Sequence, residues 1–436
     1  MAYKISNVRS NFIESDHILL TVLSFVRDTT LFAYFIIIFT AIDLLIPGTP
    51  ATEELSSAGS LFWQIATTIF FGVGILLQIT RQPSLRRVIV MATPLVPILI
   101  WIILSVTWSE FPDYTIRRGV RIAIEIIATI LFAAAYRDQY KFLRVIYISL
   151  GAIVLADMAF LSMPDKSFGL DGYAGVHYHK NVTGIFYLLV SPLFFLAVID
   201  RNIFPSRAVS VTLALSSVLL LIISLSKSAI ALTPVSLFLT VGIIWLRRAS
   251  PVTAFALILF TICAGVITVA IIASIGVDNF LIDLFGDATF TGRNRIWDHA
   301  LSLFWQSPVI GQGYGSLWNV GIFSILQQQD LFSVAFFLRA GHNGYIEVLT
   351  ELGIVGLLLT ILFLFSTFYR LWLRIPSADI PPPITFLAIY IFFATLLENI
   401  VESSIFRSGN GFWIYFLLVI FASFFMIPES RRRFSG

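Results

Sequence analysis

Stretches of about 20 apolar residues recur along the chain, and this recurrence constrains the fold more than any other feature of the sequence. They start near residues 30, 61, 88, 119, 145, 181, 208, 228, 252, 343, 383 and 412. A helix needs about 20 such residues to cross the ~30 Å hydrocarbon core of a bilayer. The sequence therefore predicts an all-α polytopic membrane protein with about 12 transmembrane helices. The pair of stretches between 208 and 246 is the weakest part of this count, because only LSKSA separates its members.

Composition excludes several classes of protein and site. The 436 residues are 58% hydrophobic and 12% charged, whereas soluble domains are about 25% charged. Cys263 is the single cysteine, which excludes an internal disulfide and cysteine metal sites. Five scattered histidines without an HExxH pattern predict no metal site and no cofactor. There is also no basic stripe interleaved with aromatics, so nucleic acid is not a predicted partner.

The positions of lysine and arginine predict the orientation, because these residues collect in cytoplasmic loops. Stepping across the predicted spans places the basic loops RQPSLRR, RDQYKFLR and YRLWLR on the side of both termini, which we assign to the cytoplasm. The predicted layout is a cytoplasmic or interfacial segment 1–28, spans 1–9 in 29–274, a long periplasmic segment 275–342 between spans 9 and 10, spans 10–12 in 343–427, and a basic tail 428–436.

Ten of the 28 basic residues oppose this bias and fall on the outer side or at its mouth. They are Arg117, Arg118, Arg121, Lys166, Lys180, Lys227, Arg293, Arg295, Arg339 and Arg407. Charges at membrane depth cost about 2.5–3.5 kcal/mol and usually have a partner or a task. Arginine grips phosphate through two parallel bonds, so the set suits a lipid-linked phosphate. Contact with ordinary headgroups is the alternative for each residue alone, and for Arg121 an ion pair with Glu125, four residues on, is equally consistent.

The first of two histidine segments is GLDGYAGVHYHKNVTG, residues 169–184. His177 and His179, followed by Lys180 and Asn181, place donors at the predicted start of a helix, where free N–H groups favour anions. We interpret His179, Lys180 and Asn181 as substrate-binding candidates. A simple N-cap role for Asn181 is the alternative.

The second segment combines an amphipathic helix with a glycine turn. The spacing predicts a helix from about Arg293 to Trp305, stopped by Pro308 and followed by GQGYG. It places Trp297, Leu301, Phe304 and Trp305 near one face, where Trp297 could stack on a sugar ring or simply pack. GQGYG lacks the following Lys-Ser/Thr of a phosphate loop, so a nucleotide site is not predicted.

The segment AGHNGYIEVLTELGIVG opens the next apolar stretch with His342 and Asn343, then nine residues, then Gly353-x-x-Gly356. This arrangement, together with GRNRIW…SPVIGQGYG and HKN upstream, resembles the O-antigen ligase and polymerase family, and in particular its exopolysaccharide-polymerase branch. The matching motifs cover about 169–360. The additional arginine motifs of the ligases match weakly, which leaves ligase and polymerase both open.

The resemblance implies a multi-pass enzyme of the bacterial inner membrane whose active site faces the periplasm. Such an enzyme is a metal-independent glycosyltransferase that uses an undecaprenyl-diphosphate-linked glycan donor and an acceptor glycan. Membrane lipid surrounds it, and a flippase and chain-length or export proteins are further implied partners. His342 is the predicted base or positioning group for the acceptor hydroxyl.

The remaining roles follow from the chemistry of a diphosphate leaving group. Arg293, with His342, is the catalytic candidate, and the predicted diphosphate ligands are Arg121, Lys227, Arg295 and Arg339. Asn343 is a helix cap and possible sugar contact by its position. Glu347 could orient His342 from the first helical turn or could simply complement the helix dipole. Gly353 and Gly356 are interpreted as positions of close helix packing.

Two other functions fit parts of this pattern. A ligase would transfer the glycan to a lipid A-core acceptor instead of a growing chain. A lipid-linked glycan flippase or transporter would also have a dozen spans and arginines at one face. Transporters tend to have repeated halves and charges near the midplane, whereas this sequence has neither an internal repeat nor midplane charges that stand out.

Overall fold

The computed structural model describes residues 2–40, 61–81, 85–169, 172–177, 179–253, 293–318, 320 and 340–426. Within them the helices are α1 (Ala2–Phe39), α2 (Leu61–Arg81), α3 (Leu85–Ala92), α4 (Val96–Leu104), α5 (Pro112–Ala134), α6 (Gln139–Phe160), α7 (Pro164–Ser167), α8 (Lys180–Ile199), α9 (Arg207–Ile223), α10 (Lys227–Leu246), α11 (Arg293–Gln306), α12 (Gly344–Trp372), α13 (Pro383–Val401) and α14 (Gly411–Phe425). A short antiparallel hairpin pairs β1 (Phe168–Gly169) with β2 (Gly172–Tyr173).

Seven segments among the described residues are long and apolar enough to cross a membrane. They are Ile18–Phe39, Arg86–Thr107, Gln139–Phe160, Lys180–Ile199, Lys227–Leu246, Gly344–Trp372 and Pro383–Val401. Shorter apolar helices lie at Ile65–Ile79, Arg207–Ile223 and Gly411–Phe425. The structure therefore agrees with an all-α polytopic membrane protein. The predicted span near 252 lies largely outside the described residues.

The weakest pair of predicted spans, between 208 and 246, is two separate helices. Helix α9 ends at Ile223, and α10 begins at Lys227. Leu225, between them, has a positive φ of 53°, a conformation that turns the chain within a few residues. The connection between the two helices is therefore only residues 224–226, and the rest of LSKSA is the first turn of α10.

Helix α14 lies at the centre of the bundle. All 15 of its residues, from Gly411 to Phe425, are buried, as expected for a helix that is apolar on every side. It packs against α5 and α13, while α8 packs against α9 and α13 against α10. Helices α8, α10, α12 and α14 all begin at one end of the bundle, which we call the site end. The loop 402–410, between α13 and α14, lies there too.

Helix α12 is broken at Gly353, whose φ of 68° and ψ of −170° are not helical. The segment after α11 enters this break: Gln312 N donates to Thr350 O at 3.0 Å, Gly313 N to Glu351 O at 2.8 Å, and Ile354 N to Pro308 O at 2.9 Å. The exposed peptide groups of the break are thereby satisfied within the protein, which irregular backbone in a membrane protein requires.

Gly353 therefore has a different role from the predicted helix–helix packing. A Cβ there would meet the carbonyl oxygen of Val309 at 2.2 Å, so the glycine receives the 308–313 segment. A Cβ on Gly356 would meet the Leu352 side chain of the same helix at 2.2 Å. The nearest neighbours at these two positions are therefore a loop and the helix itself, not the second helix that the prediction assumed.

The predicted amphipathic helix exists as α11, one residue longer than expected at its C-terminus. Its buried face holds Ala300, Leu303 and Phe304, and Ala300 and Leu303 pack with Leu317 and Trp318. Trp305 is 73% exposed, so its predicted place on the packed face was wrong. Residue 305 lies about 100° around the helix from residue 304, enough to take it off the buried stripe.

Candidate functional site

Three separate segments of the chain meet at the carboxylate of Glu402, the first residue after α13. Its Oε2 lies 2.9 Å from His342 Nδ1, and its Oε1 accepts a hydrogen bond from Arg293 Nη2 at 2.7 Å. Asn181 Nδ2 also donates to Oε1, at 3.2 Å. We call these four residues the Glu402 cluster. It joins both histidine segments and the start of the amphipathic helix, and Asn181 and Glu402 are 221 positions apart in sequence.

The Glu402 cluster is partly open to its surroundings. Its side chains are 32% exposed at His342, 16% at Glu402 and 11% at Arg293. Burial raises the pKa of the Glu402 carboxyl, but the His342 hydrogen bond and the Arg293 charge outweigh it, so the pKa lies below its usual range. Glu402 is therefore an anion near neutral pH, held by donors from α8, α11 and the start of α12.

The backbone around His342 is fixed on both sides. His342 itself has a positive φ of 51°, an unusual conformation for a non-glycine residue that is often associated with function. Trp297 Nε1 donates to Gly341 O at 2.9 Å. On the other side, Asn343 Oδ1 accepts from Tyr345 N at 3.1 Å and Ile346 N at 3.0 Å, and so caps α12. The histidine is held in place by its neighbours as well as by Glu402.

Glu347 does not orient His342 in this structure. Its Oε1 accepts from Gly341 N at 2.5 Å and lies 3.7 Å from Arg407 Nη1. The orienting carboxylate is Glu402, because the loop after α13 approaches the ring whereas Glu347 turns back toward Gly341. Glu347 thus steadies the backbone just before the histidine. Its first-turn position on α12 also suits the helix dipole.

In the first histidine segment, the predicted residues have three different environments. His179 Nδ1 accepts from Asn181 N at 3.1 Å and caps α8. The predicted cap, Asn181, instead sends its side chain to Glu402. Lys180 is half-buried at the first position of α8. The N-terminus of α8 therefore lies beside the Glu402 carboxylate, and substrate binding by these residues stays a prediction.

His177 faces away from the Glu402 cluster. It is buried, with Nε2 3.4 Å from Asp157 Oδ2. Asp157 is fully buried and also accepts from Tyr187 Oη at 2.5 Å and from Val176 N at 2.7 Å. These residues fasten the hairpin segment to α6 and α8, and we call Asp157, Tyr173, Val176, His177 and Tyr187 the Asp157 cluster.

The ion pair between Arg121 and Glu125 is formed. Arg121 Nε lies 2.9 Å from Glu125 Oε1, and Glu125 Oε2 accepts from Gly409 N at 2.9 Å. Arg121 therefore lies beside the C-terminal part of the loop 402–410, whereas Glu402 is the first residue of that loop. The Arg121 side chain is 23% exposed, so the ion pair leaves it partly accessible at the site end.

The other predicted phosphate ligands are less closely connected to the cluster. Lys227 begins α10 and is exposed, and its neighbour Ser226 packs on Gly184 so tightly that a Cβ on the glycine would lie 2.4 Å away. Lys227 therefore lies at the site end, next to a residue that packs on α8 one turn after Asn181. Arg295 lies within α11. Arg339 lies outside the described residues.

Glu402 is the main residue that motif reasoning missed. The segment ENIVESSIFRSGN holds Glu398, Glu402 and Arg407 between two apolar stretches. Arg407 is one of the ten basic residues predicted at the periplasmic side, and surplus cations at one face call for acidic partners nearby. That surplus is the signal in the sequence that points to this loop.

The chain is similar to known proteins over the same region. Residues 211–361 match the family described as Wzy_C, O-antigen ligase. Over 342 residues, 76% of each chain, the sequence is 27% identical to the exopolysaccharide production protein ExoQ of Rhizobium meliloti (strain 1021). These matches confirm the family predicted from the motifs.

The family match encloses Lys227, Arg293, His342 and Gly353 but ends before Glu402. Together with the apolar helices, it supports a multi-pass membrane protein with polymerase or ligase activity in exopolysaccharide or O-antigen synthesis.

Proposed function

We propose that this protein is a membrane glycan polymerase that transfers an undecaprenyl-diphosphate-linked oligosaccharide to the end of an acceptor glycan. The observation that carries the proposal is the Glu402 cluster, in which one carboxylate holds both His342 and Arg293. The name of the Rhizobium meliloti relative favours exopolysaccharide synthesis. We place the reaction at the periplasmic face of a bacterial inner membrane, in a chain of about 12 spans with both termini cytoplasmic.

In the proposed reaction His342 accepts the proton of the acceptor hydroxyl. With Nδ1–H donating to Glu402, the neutral ring carries its lone pair on Nε2. The hydroxyl oxygen attacks the anomeric carbon of the donor, its proton passes to Nε2, and the bond from that carbon to the diphosphate oxygen breaks. The negative Glu402 stabilises the imidazolium that forms. General base catalysis of this kind contributes about 10²–10⁴-fold.

Cations of the site end stabilise the departing diphosphate in this proposal. Arg293 is anchored by Glu402 and by the carbonyl of Val401, which fixes its guanidinium before substrate arrives. Lys180 and Lys227 stand at the first positions of α8 and α10, where helix dipoles add positive potential. Charge that is already in place at the leaving group commonly contributes more to such catalysis than any other effect. Arg121, Arg295 and Arg339 are proposed to extend this surface.

Ligase activity is the second candidate, because the matching family is described as O-antigen ligase. A ligase and a polymerase share the donor and differ in the acceptor. The site residues identified above serve either reaction, so the acceptor must be tested directly. We propose membrane lipid as a surrounding partner, and a flippase and chain-length or export proteins as functional partners.

The test uses purified protein in detergent with an undecaprenyl-diphosphate oligosaccharide from the native host. Wild type and His342→Ala are compared with Arg201→Ala, a substitution of an exposed turn residue after α8. We expect wild type and Arg201→Ala to produce a ladder of lengthened glycans on a gel, and His342→Ala to lose about 10³-fold of the rate. Transfer only to an added lipid A-core acceptor identifies a ligase. Movement of the lipid between vesicle leaflets without any product rules out both transferase activities and identifies a flippase.

A further inference from the structure

A large cavity lies at the end of the bundle opposite the Glu402 cluster. It has a volume of about 1480 Å³ and lies among α8, α9, α10 and α13, with Pro192, Leu221, Leu237 and Phe386 in its walls. Pockets for drug-sized molecules are about 300–1,000 Å³. Two further facts suit a hydrocarbon ligand: the apolar walls, and the 45% exposure of both Phe195 and Leu237 on its outer side.

Three arginines line the same cavity near the C-terminal ends of α12 and α14. Arg87 Nη2 and Arg374 Nη2 donate to the same oxygen, the carbonyl of Phe424, at 3.1 and 2.7 Å. Arg370 Nη1 donates to Met91 O at 2.9 Å. Arg370 and Arg374 also lie 5.9 and 5.2 Å from the ring of Phe424. The three guanidinium groups are therefore clustered around one residue.

Helix capping explains part of this arrangement, because arginines satisfy the last carbonyl groups of a helix. Carbonyl oxygens hold the guanidinium groups of Arg87, Arg370 and Arg374 beside the cavity. Asp200 and Asp379 also line the cavity, so three arginines face two carboxylates among its lining residues. A phosphodiester would match the planar donor forks of the arginines.

We propose that this cavity binds an anionic diacyl phospholipid. The phosphodiester lies against Arg370 and Arg374, and the acyl chains lie along the apolar walls of α8, α10 and α13. Basic pockets between transmembrane helices are known to take anionic headgroups of this kind. The site is separate from the Glu402 cluster, and its occupancy does not depend on which glycan reaction the protein catalyses.

The first test is native mass spectrometry of the full chain, stripped of lipid in a neutral detergent. Phosphatidylglycerol and phosphatidylcholine with the same acyl chains, and undecaprenyl phosphate, are added in turn. We expect phosphatidylglycerol to bind at least tenfold more tightly than phosphatidylcholine. The double variant Arg370→Gln/Arg374→Gln should lose this preference, whereas Arg207→Gln, an exposed arginine of the same end outside the cavity, should keep it.

A second pair of variants tests the apolar walls without touching the helix-capping arginines. Leu237→Trp fills the cavity, while Phe238→Trp changes a 73% exposed neighbour that does not line it. We expect Leu237→Trp alone to weaken phosphatidylglycerol binding at least fivefold. Equal binding of both phospholipids in all variants would overturn the proposal, because it indicates only a lipid shell. Tighter binding of undecaprenyl phosphate than of phosphatidylglycerol would also overturn it.

Discussion

Glu402 and Asp157 are both carboxylates that gather several donors at the site end, but the donors and the surroundings differ. Glu402 accepts from a guanidinium and an imidazole, and its side chain is 16% exposed. Asp157 accepts mainly from tyrosine hydroxyls and a backbone amide, and its side chain is 0% exposed. Burial, and then the Asp157 charge, raise the pKa of Tyr173, so that hydroxyl remains a donor.

This comparison separates a carboxylate that positions reactive groups from one that stabilises the fold. A group that must exchange protons with a substrate needs access, and of these two clusters only the Glu402 cluster has it. In the Asp157 cluster, hydrogen-bond donors instead surround the buried Asp157 carboxylate and fix the segment that leads to Asn181.

The largest expected effect is on catalysis by Glu402→Gln. The amide keeps the size of the side chain but removes the negative charge that fixes the His342 tautomer and holds Arg293. We expect the rate of glycan transfer to fall about 10²-fold with an unchanged elution profile in gel filtration. A rate close to that of wild type would show that the Glu402 cluster is only structural.

Gly353→Ala tests the segment that follows α11. A Cβ at this position would lie 2.2 Å from Val309 O, and the alanine backbone would have to keep a φ of 68°. We expect a loss of about 3 kcal/mol of stability, since strained backbone alone costs about 1–3 kcal/mol. The midpoint of thermal unfolding is the measurement. Gly242→Ala, where nothing lies within 4 Å of the added Cβ, should leave the midpoint unchanged or raise it slightly.

Asp157→Asn should lower the stability and leave the rate of glycan transfer nearly unchanged, the reverse of what we expect for Glu402→Gln. It removes charge-assisted bonds in a sealed site, and such bonds contribute about 1.5–3 kcal/mol each. We expect about 2 kcal/mol less stability, seen as a lower unfolding midpoint. The folded fraction should transfer glycan at close to the wild-type rate. A loss of rate of about 10²-fold with normal stability would erase the distinction between the two clusters.

The smallest effect concerns pH. Because the pKa of Glu402 is lowered in the folded protein, its ionised form contributes stability above the unfolded pKa of about 4.3. That contribution is lost as the pH falls through the folded pKa. The difference in unfolding midpoint between wild type and Glu402→Gln should therefore be largest near pH 7 and shrink below about pH 4. A difference that stays constant across this range would contradict the role of the Glu402 charge.

Local patterns were sufficient for the elements and for part of the site. The bounds of α11 followed from hydrophobic period and Pro308, and the Arg121–Glu125 pair followed from its four-residue spacing on one helix face. The place of His342 was also visible locally, because it precedes a capped helix. Each of these depends on residues a few positions apart, so the sequence contains the necessary information.

The sequence by itself thus determined a helical membrane protein, the family, and the residues His342 and Arg293 as site candidates. Only the tertiary structure decided that Glu402 holds both, that Glu347 turns to Gly341 and Arg407, and that Gly353 receives the 308–313 segment. His342 and Glu402 are 60 positions apart, and no local spacing encodes which carboxylate meets the ring. That choice depends on how α12 and α13 pack and on the course of the loop that joins α13 to α14.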